Sequence, residues 1–253
     1  MSTAIITGAS SGIGREMAII LSEQGYDLIL VARRTEKLLE VSKELKTSAE
    51  IMTIDLSKEE NCYSLYERCK GKDVEILVNN AGFGNFGNFG ETDLSKDMEM
   101  VDLNVKALHI LTKLFLLEFK EKNKGKILNV ASAAGFMPEG PMLSTYYATK
   151  AYVLSLTRGI AKELKKENSG VTISALCPGP VKTEFDSVAG VDFQGVGMDA
   201  KKCAKIGISG LMSGKTVIIP GILMKAGKVF TKILPDCVIG EFAYHFQRAK
   251  RKD

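Results

Sequence analysis

A tyrosine and a lysine near the middle of the chain are of the residue types needed for proton transfer. Tyr146 precedes Lys150 by four positions and Tyr147 precedes it by three, so on a helix either phenol can share a face with the lysine. A free phenol has a pKa of about 10 and exchanges protons poorly at neutral pH. A neighbouring ammonium favours the phenolate and lowers that pKa. The spacing therefore predicts a general acid or base.

A glycine-rich turn near the N-terminus has the spacing of a phosphate-binding loop. The segment Thr7-Gly8-Ala9-Ser10-Ser11-Gly12-Ile13-Gly14 joins the first predicted strand to the first predicted helix. Glycines permit a tight turn and a close approach of the backbone to a pyrophosphate, and the helix N-terminus offers free N–H groups. A glycine triplet alone is a weak signal, but its placement between strand and helix predicts a dinucleotide-binding turn.

Six motifs then follow one another in the order that is typical of one enzyme family. Over residues 3 to about 220 the chain resembles the short-chain dehydrogenase/reductase family. The matching residues are the glycine pattern at Thr7, Gly8, Gly12, Ile13 and Gly14, the segment Asn79-Asn80-Ala81-Gly82, Asn104, Ser132, the pair Tyr146 and Lys150, and Pro178-Gly179. The resemblance implies an oxidoreductase that acts on alcohol or carbonyl groups, and its spacing selects Tyr146 over Tyr147.

The resemblance also implies a catalytic set of Asn104, Ser132, Tyr146 and Lys150. Ser132 would hold the substrate oxygen beside the phenol and stabilise the developing alkoxide. Lys150 would in addition bind the nicotinamide ribose, and Asn104 would support a chain of water to Lys150. Fourteen positions separate Ser132 from Tyr146, one more than the family's usual spacing, and we place the extra residue in the loop Pro138–Pro141.

The residues after the second predicted strand favour NADP(H) as the cofactor. An NAD-binding chain places Asp or Glu there, whereas this chain has Ala32-Arg33-Arg34. Arg33 can contact a 2′-phosphate through two hydrogen bonds, with Ser10 or Ser11 adding hydroxyl bonds. The alternative is surface coverage at a helix start, where cations are unfavourable. The other expected cofactor-binding residues are Asp55, which resembles the family's adenine-binding acid, and Leu56, Asn79, Ala81, Gly82, Tyr146, Lys150, Pro178, Gly179, Val181 and Thr183.

Short apolar runs alternate with helical patterns along the whole chain. Strands are predicted at Thr3–Thr7, Asp27–Val31, Glu50–Asp55, Val74–Asn79, Lys126–Ala131, Val171–Cys177 and Thr216–Ile219. Helices are predicted at Gly14–Gln24, Thr35–Leu45, Lys58–Cys69, Lys96–Lys122, Ser144–Glu167 and Ala200–Met212. Continuous apolar strands are typical of parallel sheets that are buried on both faces. The sequence therefore predicts an α/β fold with a single doubly wound parallel sheet (Rossmann-type, about seven strands) and helices on both faces. Residues 1–253 are predicted to form one domain, with 221–253 as a helical C-terminal extension.

Three loops at the predicted carboxyl edge of the sheet are rich in apolar side chains. They are Phe83–Phe89, Phe136–Leu143 and Thr183–Met198, with Phe83, Phe86, Phe89, Phe136, Met137, Met142, Phe185, Val188 and Phe193. Such a lining suits a small apolar carbonyl or alcohol substrate. The first loop, which reads FGNFGNFG over residues 83–90, could equally be a mobile surface loop.

Two other functions remain open from the sequence. A 3-oxoacyl thioester reductase of fatty acid synthesis belongs to the same family, but members of that type usually end soon after a strand followed by Gly-Gly. Here more than thirty residues follow Ile219-Pro220-Gly221. A non-catalytic dinucleotide-binding scaffold would have lost Tyr146, Lys150 or Ser132, and all three are present.

The composition of the chain argues against several classes of partner and location. The 34 Lys and Arg residues nearly balance the 30 Asp and Glu residues, which argues against a nucleic-acid binder. The five cysteines form no CxxC pair, so we expect reduced thiols. The N-terminus has no basic segment before an apolar core, as a secretory signal would have, so we expect a cytoplasmic protein. No cluster has metal-ligand spacing, and no apolar stretch reaches the roughly 18–20 residues of a membrane-spanning helix.

Subunit pairing is expected through two of the long helices. The helices Lys96–Lys122 and Ser144–Glu167 resemble those that pair subunits in the family, which predicts a homodimer or homotetramer. The apolar positions available on them are Leu111, Leu114, Phe115, Val153 and Leu156.

The tail beyond Gly221 shows two amphipathic patterns. Apolar residues recur near helical spacing at Ile222, Leu223, Val229, Phe230, Ile233 and Leu234, while Lys225, Lys228 and Lys232 lie on another face. Pro235 ends this pattern, and Val238–Arg248 predicts a second helix with Phe242 and Phe246 on one side. We expect the apolar stripe to pack on its own domain or a partner subunit and the tail to close the pocket. Contact with a membrane surface is the less favoured alternative.

Overall fold

Seven parallel strands form the central sheet of the protein, for which a computed structural model describes residues 2–185 and 197–248. Within these residues the sheet has the order β3-β2-β1-β4-β5-β6-β9. Its strands are β1 (Thr3–Thr7), β2 (Asp27–Ala32), β3 (Ala49–Thr53), β4 (Val74–Asn79), β5 (Gly125–Val130), β6 (Val171–Leu176) and β9 (Val217–Ile218). The strand order reverses direction at β1, which is the doubly wound arrangement that the sequence predicts. Two further short strands, β7 (Val181–Lys182) and β8 (Met198–Asp199), pair separately in parallel.

Alternate residues of each strand face two separate cores. Ile5 of β1 packs with the helices Glu59–Cys69 (α3) and Leu108–Glu121 (α5) on one face of the sheet. Its neighbour Ile6 packs with the helices Gly12–Glu23 (α1) and Ala200–Met212 (α7) on the other face. All these strand residues are essentially inaccessible to water. Burial on both faces explains why the strands are continuous apolar runs in the sequence. The helices are α1 (Gly12–Glu23), α2 (Thr35–Ser42), α3 (Glu59–Cys69), α4 (Leu94–Val101), α5 (Leu108–Glu121), α6 (Ser144–Lys166), α7 (Ala200–Met212), α8 (Ile222–Phe230) and α9 (Asp236–Arg248).

The long helix predicted at Lys96–Lys122 is interrupted. A π-helical segment at Asp102–Ala107 separates α4 from α5 and contains Asn104. A π segment widens one turn of the helix and redirects its side chains, and such segments occur frequently at functional sites. Sequence periodicity does not reveal it, because the apolar pattern continues across the insertion.

The third strand is shorter than predicted. It ends at Thr53, so Asp55 lies in the following loop rather than at a strand end. There the Asp55 carboxylate accepts hydrogen bonds from the amide and the hydroxyl of Ser57, 3.1 and 2.8 Å away. This local turn ends the strand two residues early.

The tail forms α8 and α9, as predicted, but its apolar side chains do not pack as expected. Every residue of α8 is at least partly accessible, and Ile222 and Leu223 are 84% and 82% exposed. The stripe therefore does not pack on its own domain, and the other predicted outcome, packing on a partner subunit, stays a prediction. α9 does dock, through its buried residues Ile239 and Ala243. No helix within residues 2–185 and 197–248 is long and apolar enough to span a membrane.

Candidate active site

The turn between β1 and α1 is tight and closely backed by other parts of the chain. Gly8 and Gly12 adopt positive φ angles of 65° and 56°, which glycine reaches without strain. A Cβ at Gly12 would lie 2.9 Å from the methyl carbon of Thr183, and one at Gly14 would collide with the carbonyl oxygen of Gly8. The N-cap residue Ser11 makes no side-chain capping bond, so no side chain caps the first-turn N–H groups of α1. This geometry fits the pyrophosphate of a dinucleotide.

Two residues that sequence reasoning left out of the site hold this turn in place. The Asn80 amide donates to the carbonyl oxygens of Thr7 and Gly8, at 3.0 and 3.1 Å. The Thr7 hydroxyl in turn accepts hydrogen bonds from the backbone N–H groups of Asn80 and Ala81, both at 3.0 Å. Both residues belong to the motifs that the sequence shows, and their contacts explain why two distant motifs occur together.

Ser132, Tyr146 and Lys150 meet at the carboxyl edge of the sheet. The Lys150 Nζ lies 5.7 Å from the centroid of the Tyr146 ring and donates to the carbonyl oxygen of Val130 at 2.9 Å. Ser132 follows β5 and caps a short 3₁₀ helix, Ala133–Phe136, by accepting from the amide of Ala134. The end of β5 and the first two turns of α6 thus bring the three side chains together.

Burial shifts the pKa values of both titrating groups. Desolvation raises the pKa of Tyr146 to about 12, although a side-chain hydrogen bond with Ser132 opposes the rise. Desolvation also lowers the pKa of Lys150 to about 8. At neutral pH Tyr146 is therefore a neutral phenol that can donate a proton, and Lys150 is mainly an ammonium.

Asn104 is fully buried, and its side-chain amide makes hydrogen bonds to neighbouring residues of the chain. Its Oδ1 accepts from the amide of Phe83 at 3.1 Å, and its Nδ2 donates to the carbonyl oxygen of Phe83 at 2.9 Å and to the Thr149 hydroxyl at 3.2 Å. A Cβ on Gly82 would lie 2.7 Å from the Asn104 Oδ1 and 3.5 Å from the Lys150 Nζ. Asn104 thus fixes the start of the 83–90 loop next to Lys150.

Tyr147 has a different environment from Tyr146. The amide of Gln247, on α9, donates to the Tyr147 hydroxyl at 2.9 Å, and the Tyr147 ring packs against Gly140. Its ring stands edge-on to that of Tyr146, with centroids 6.4 Å apart. The hydroxyl of Tyr147 is therefore occupied by the tail, which supports Tyr146 as the phenol that reacts.

The apolar residues of the three loops predicted to line the pocket differ in position and exposure. Phe185 lies 5.5 Å from the Tyr146 ring, centroid to centroid, whereas Met142 is buried and Phe89 is 69% exposed. The first two loops are tied together, because the amide of Gly87 donates to the carbonyl oxygen of Met142 at 2.9 Å. Val188 and Phe193, in the third loop, lie outside the described residues.

At the end of β2, Arg34 rather than Arg33 contacts the two serines that the sequence predicts at the 2′-phosphate site. Arg34 donates to the hydroxyls of Ser10 and Ser11, at 3.2 and 3.1 Å, and pairs with Glu184 at 2.7 Å. Arg33 instead pairs with Glu99 at 2.9 Å. Arg34, which is not among the predicted cofactor residues, thus lies beside Ser10 and Ser11, because the chain turns between the end of β2 and α2.

The remaining predicted cofactor residues surround the same edge. Leu56 is buried beside Thr7 and Asn79, and Asn79 donates to the side chains of Thr112 and Asn129 while its own Oδ1 has no hydrogen-bond partner. The carbonyl oxygen of Pro178 accepts from the Ala133 amide, which ties the loop after β6 to Ser132. Further along, Gly179 packs against Met224 of α8, Val181 starts β7, and the Thr183 hydroxyl accepts from the amide of Phe185.

Comparison with known proteins identifies the family. The family of short chain dehydrogenases matches residues 2–191. The chain belongs to this family. Among curated proteins it is 31% identical over 245 residues to the very-long-chain 3-oxoacyl-CoA reductase of Anas platyrhynchos, which covers 93% of this chain and 77% of that protein.

Solved structures of the short-chain dehydrogenase family share the fold. A short-chain dehydrogenase from Sphingobium yanoikuyae in complex with NADPH superposes with a TM-score of 0.82 at 30% identity, over 93% of this chain and 97% of that one. The bulky-bulky ketone specific alcohol dehydrogenase from Comamonas testosteroni gives a TM-score of 0.78 at 28% identity, over 93% and 95%. This protein is accordingly an oxidoreductase that uses a nicotinamide dinucleotide and acts on a carbonyl or alcohol group.

Proposed function

We propose that the protein reduces the carbonyl group of a bulky apolar substrate with NADPH, and that Tyr146 is the general acid. The observation that carries this proposal is the assembly of Ser132, Tyr146 and Lys150 beside a glycine-rich turn that fits a pyrophosphate. Tyr146 is a phenol at neutral pH, which is the protonation state that reduction requires.

Each side chain of the site has one task in this mechanism. The Tyr146 hydroxyl gives its proton to the substrate oxygen, and the Ser132 hydroxyl donates a hydrogen bond to the same oxygen as negative charge develops there. The Lys150 ammonium, fixed by the carbonyl oxygen of Val130, stabilises the phenolate that remains. NADPH, when bound, supplies the hydride. Asn104 holds the backbone of Phe83 and so fixes the start of the 83–90 loop next to Lys150.

The preference for NADPH over NADH rests on the two arginines after β2. No carboxylate stands at the end of β2 to bind the ribose hydroxyls, and the Arg34 guanidinium already contacts the hydroxyls of Ser10 and Ser11. A 2′-phosphate would replace Glu184 on Arg34 and Glu99 on Arg33. The solved neighbour with NADPH supports this choice.

Steady-state kinetics with both cofactors tests the preference. We expect Arg34→Ser and Arg33→Ser each to raise the KM for NADPH by about 10-fold or more, since a charge-assisted hydrogen bond contributes roughly 1.5–3 kcal/mol, with little change for NADH. Arg68→Ser is the matched control, because Arg68 is a half-exposed arginine on α3, away from the site. An unchanged NADPH-to-NADH ratio in both variants would contradict the assignment.

The substrate class is proposed from the pocket walls and from relatives. Phe185 stands beside Tyr146, and the names of two similar proteins refer to very-long-chain 3-oxoacyl-CoA and to bulky ketones. We therefore propose a large apolar ketone, as a free compound or as a long-chain 3-oxoacyl thioester. NADPH oxidation with a graded series of ketones and 3-oxoacyl thioesters tests this. Equal or higher kcat/KM on small polar aldehydes would contradict it.

We further propose a cytoplasmic homodimer or homotetramer that pairs through α5 and α6. Three of the five apolar positions expected at that interface are not available, because Leu111, Phe115 and Val153 are buried in the core of their own chain. Leu117 and Tyr152, which are 48% and 39% exposed, are the better candidates. Light scattering of the purified protein tests the proposal, and a monomer at micromolar concentration would contradict it.

A further inference from the structure

The tail concentrates the exposed apolar surface of the molecule. Seventeen large apolar side chains are exposed within the described residues, and ten of them lie between positions 222 and 246. They are Ile222, Leu223, Val229, Phe230, Ile233, Leu234, Val238, Phe242, Tyr244 and Phe246. A concentration of exposed apolar side chains of this kind usually marks a site of interaction.

The two tail helices dock by one side and leave the other side free. Met224 of α8 packs against Gly179, while Ile222, Leu223, Val229 and Phe230 lie on the opposite side of the helix. In α9 the docked residues are Ile239, Ala243 and Gln247, spaced four apart. Val238, Phe242 and Phe246 form the adjacent exposed row, in which the two phenylalanine rings stack with centroids 6.5 Å apart. We call the exposed residues 222–246 the tail face.

The tail also carries the net charge of the whole protein. Residues 221–253 contain seven Lys or Arg and three Asp or Glu, a balance of +4, which equals the formal net charge of all 253 residues. From Gly221 to Pro235 there are three lysines and no acidic residue. Lys225, Lys228 and Lys232 flank the apolar row of α8, and no ion pair joins any of them to a carboxylate in the described part of the chain.

The surroundings of Lys228 add further positive charge to the three tail lysines Lys225, Lys228 and Lys232. The pKa of Lys228 is lowered, first by desolvation and then by the nearby positive charge of Arg158 on α6 and of Lys232. The one group that opposes this shift is the buried thiol of Cys177. An anionic ligand at this position would relieve the mutual repulsion of the cations.

We propose that the tail face docks onto the surface of an anionic lipid bilayer. Apolar side chains flanked by lysines are what an interfacial helix needs, since the chains enter the acyl boundary and the lysines contact anionic headgroups. Side chains that are more than 80% exposed stand clear of their neighbours, and a fluid bilayer accommodates them without a matching pocket. A second copy of this chain fits less well, because a two-fold interface would bring two faces of the same positive charge together.

Flotation of the full-length protein with vesicles tests the proposal. The vesicles are phosphatidylcholine alone or phosphatidylcholine with about one-third phosphatidylserine. We expect the protein to bind the anionic vesicles, and Lys225→Gln/Lys228→Gln/Lys232→Gln to lower partitioning by roughly 100-fold, since each lysine contributes about five-fold. Leu223→Ser/Phe230→Ser should lower it at least about 10-fold through lost apolar burial.

Two controls make the result decisive. Leu39→Ser/Tyr63→Ser removes two exposed apolar side chains on α2 and α3, which lie toward the opposite edge of the sheet, and should bind vesicles like the unchanged protein. The variants Leu223→Ser/Phe230→Ser and Leu39→Ser/Tyr63→Ser should keep their turnover of a water-dissolved ketone within about two-fold, because these side chains are exposed. Absence of binding, or equal binding by the tail variants, would overturn the proposal. Sedimentation velocity in which Leu223→Ser/Phe230→Ser dissociates an oligomer, without vesicle binding by the unchanged protein, would overturn it in favour of a second copy.

Discussion

The catalytic edge and the tail face are opposite in their physical organisation. At the catalytic edge, polar groups are enclosed by apolar surroundings, and Asn104 and Lys150 hydrogen-bond to the backbone of the same chain. On the tail face, apolar groups stand in water among lysines whose charges the described residues leave unpaired. The first region draws these hydrogen-bond partners from its own chain. The second exposes apolar surface of the kind that usually marks a site of interaction.

The largest expected difference between the two regions is catalytic. Tyr146→Phe should lower kcat by at least about 1000-fold, because the general acid is lost while the ring that packs against Phe185 remains. NADPH binding, measured by fluorescence titration, should be retained.

Two comparisons accompany this variant. Tyr147→Phe should keep kcat within about five-fold, since its hydroxyl contacts Gln247. The tail variant Leu223→Ser/Phe230→Ser should match the unchanged protein on a dissolved ketone. If Tyr147→Phe were the inactive variant, the assignment of the reactive phenol would be wrong.

The next effect concerns stability, because the buried ammonium of Lys150 opposes folding. Its pKa is about 8 in the folded protein and about 10.4 in an unfolded chain, so between these values the unfolded state binds more protons and stability rises with pH. Lys150→Met should therefore be inactive yet more stable at pH 7, by roughly 1–3 kcal/mol, since one pKa unit corresponds to about 1.4 kcal/mol.

Urea unfolding at several pH values measures this difference. The advantage of Lys150→Met should be constant below pH 8 and should shrink as the pH approaches 10. The phenol of Tyr146, whose pKa is raised to about 12, is present in both proteins, so its titration at high pH cancels in this comparison. Lys225→Met, which replaces an exposed lysine, is the matched control and should show no such dependence. The quantity to compare is the free energy of unfolding of Lys150→Met minus that of the unchanged protein. If this difference were smaller at pH 7 than at pH 10, the account would be wrong.

The smallest effect joins the two regions. Gln247→Leu removes the hydrogen bond from α9 to Tyr147, which stands beside Tyr146, and should raise the KM for a bulky ketone about two- to five-fold with kcat nearly unchanged. The double variant Gln247→Leu/Tyr147→Phe should be no worse than the worse single variant, because both remove the same bond. Fully additive losses would show that the two residues act independently.

Much of the active site is readable from the sequence because its determinants are local. The four-residue spacing from Tyr146 to Lys150 defines a helix face, and the glycines of the β1–α1 turn are required wherever the backbone must fold tightly. Continuous apolar runs predict all seven sheet strands to within one or two residues at each end, because burial on both faces leaves no room for polar alternation.

Other features were decided only by the packing of distant segments. Arg34 rather than Arg33 reaches Ser10 and Ser11 because the direction of each side chain depends on how the end of β2 meets the β1–α1 turn. Similarly, Gln247 meets Tyr147 across 100 residues, which no local spacing encodes.

The tail shows most clearly which features the local sequence determines and which depend on the tertiary structure. Its sequence determined that Ile222–Phe230 and Asp236–Arg248 are amphipathic helices, since periodicity is a local property. Which face of each helix is buried depended on the shape of the surface that receives it. That surface, around Gly179 and Tyr147, accepts Met224 and Gln247 and leaves the larger apolar row in water.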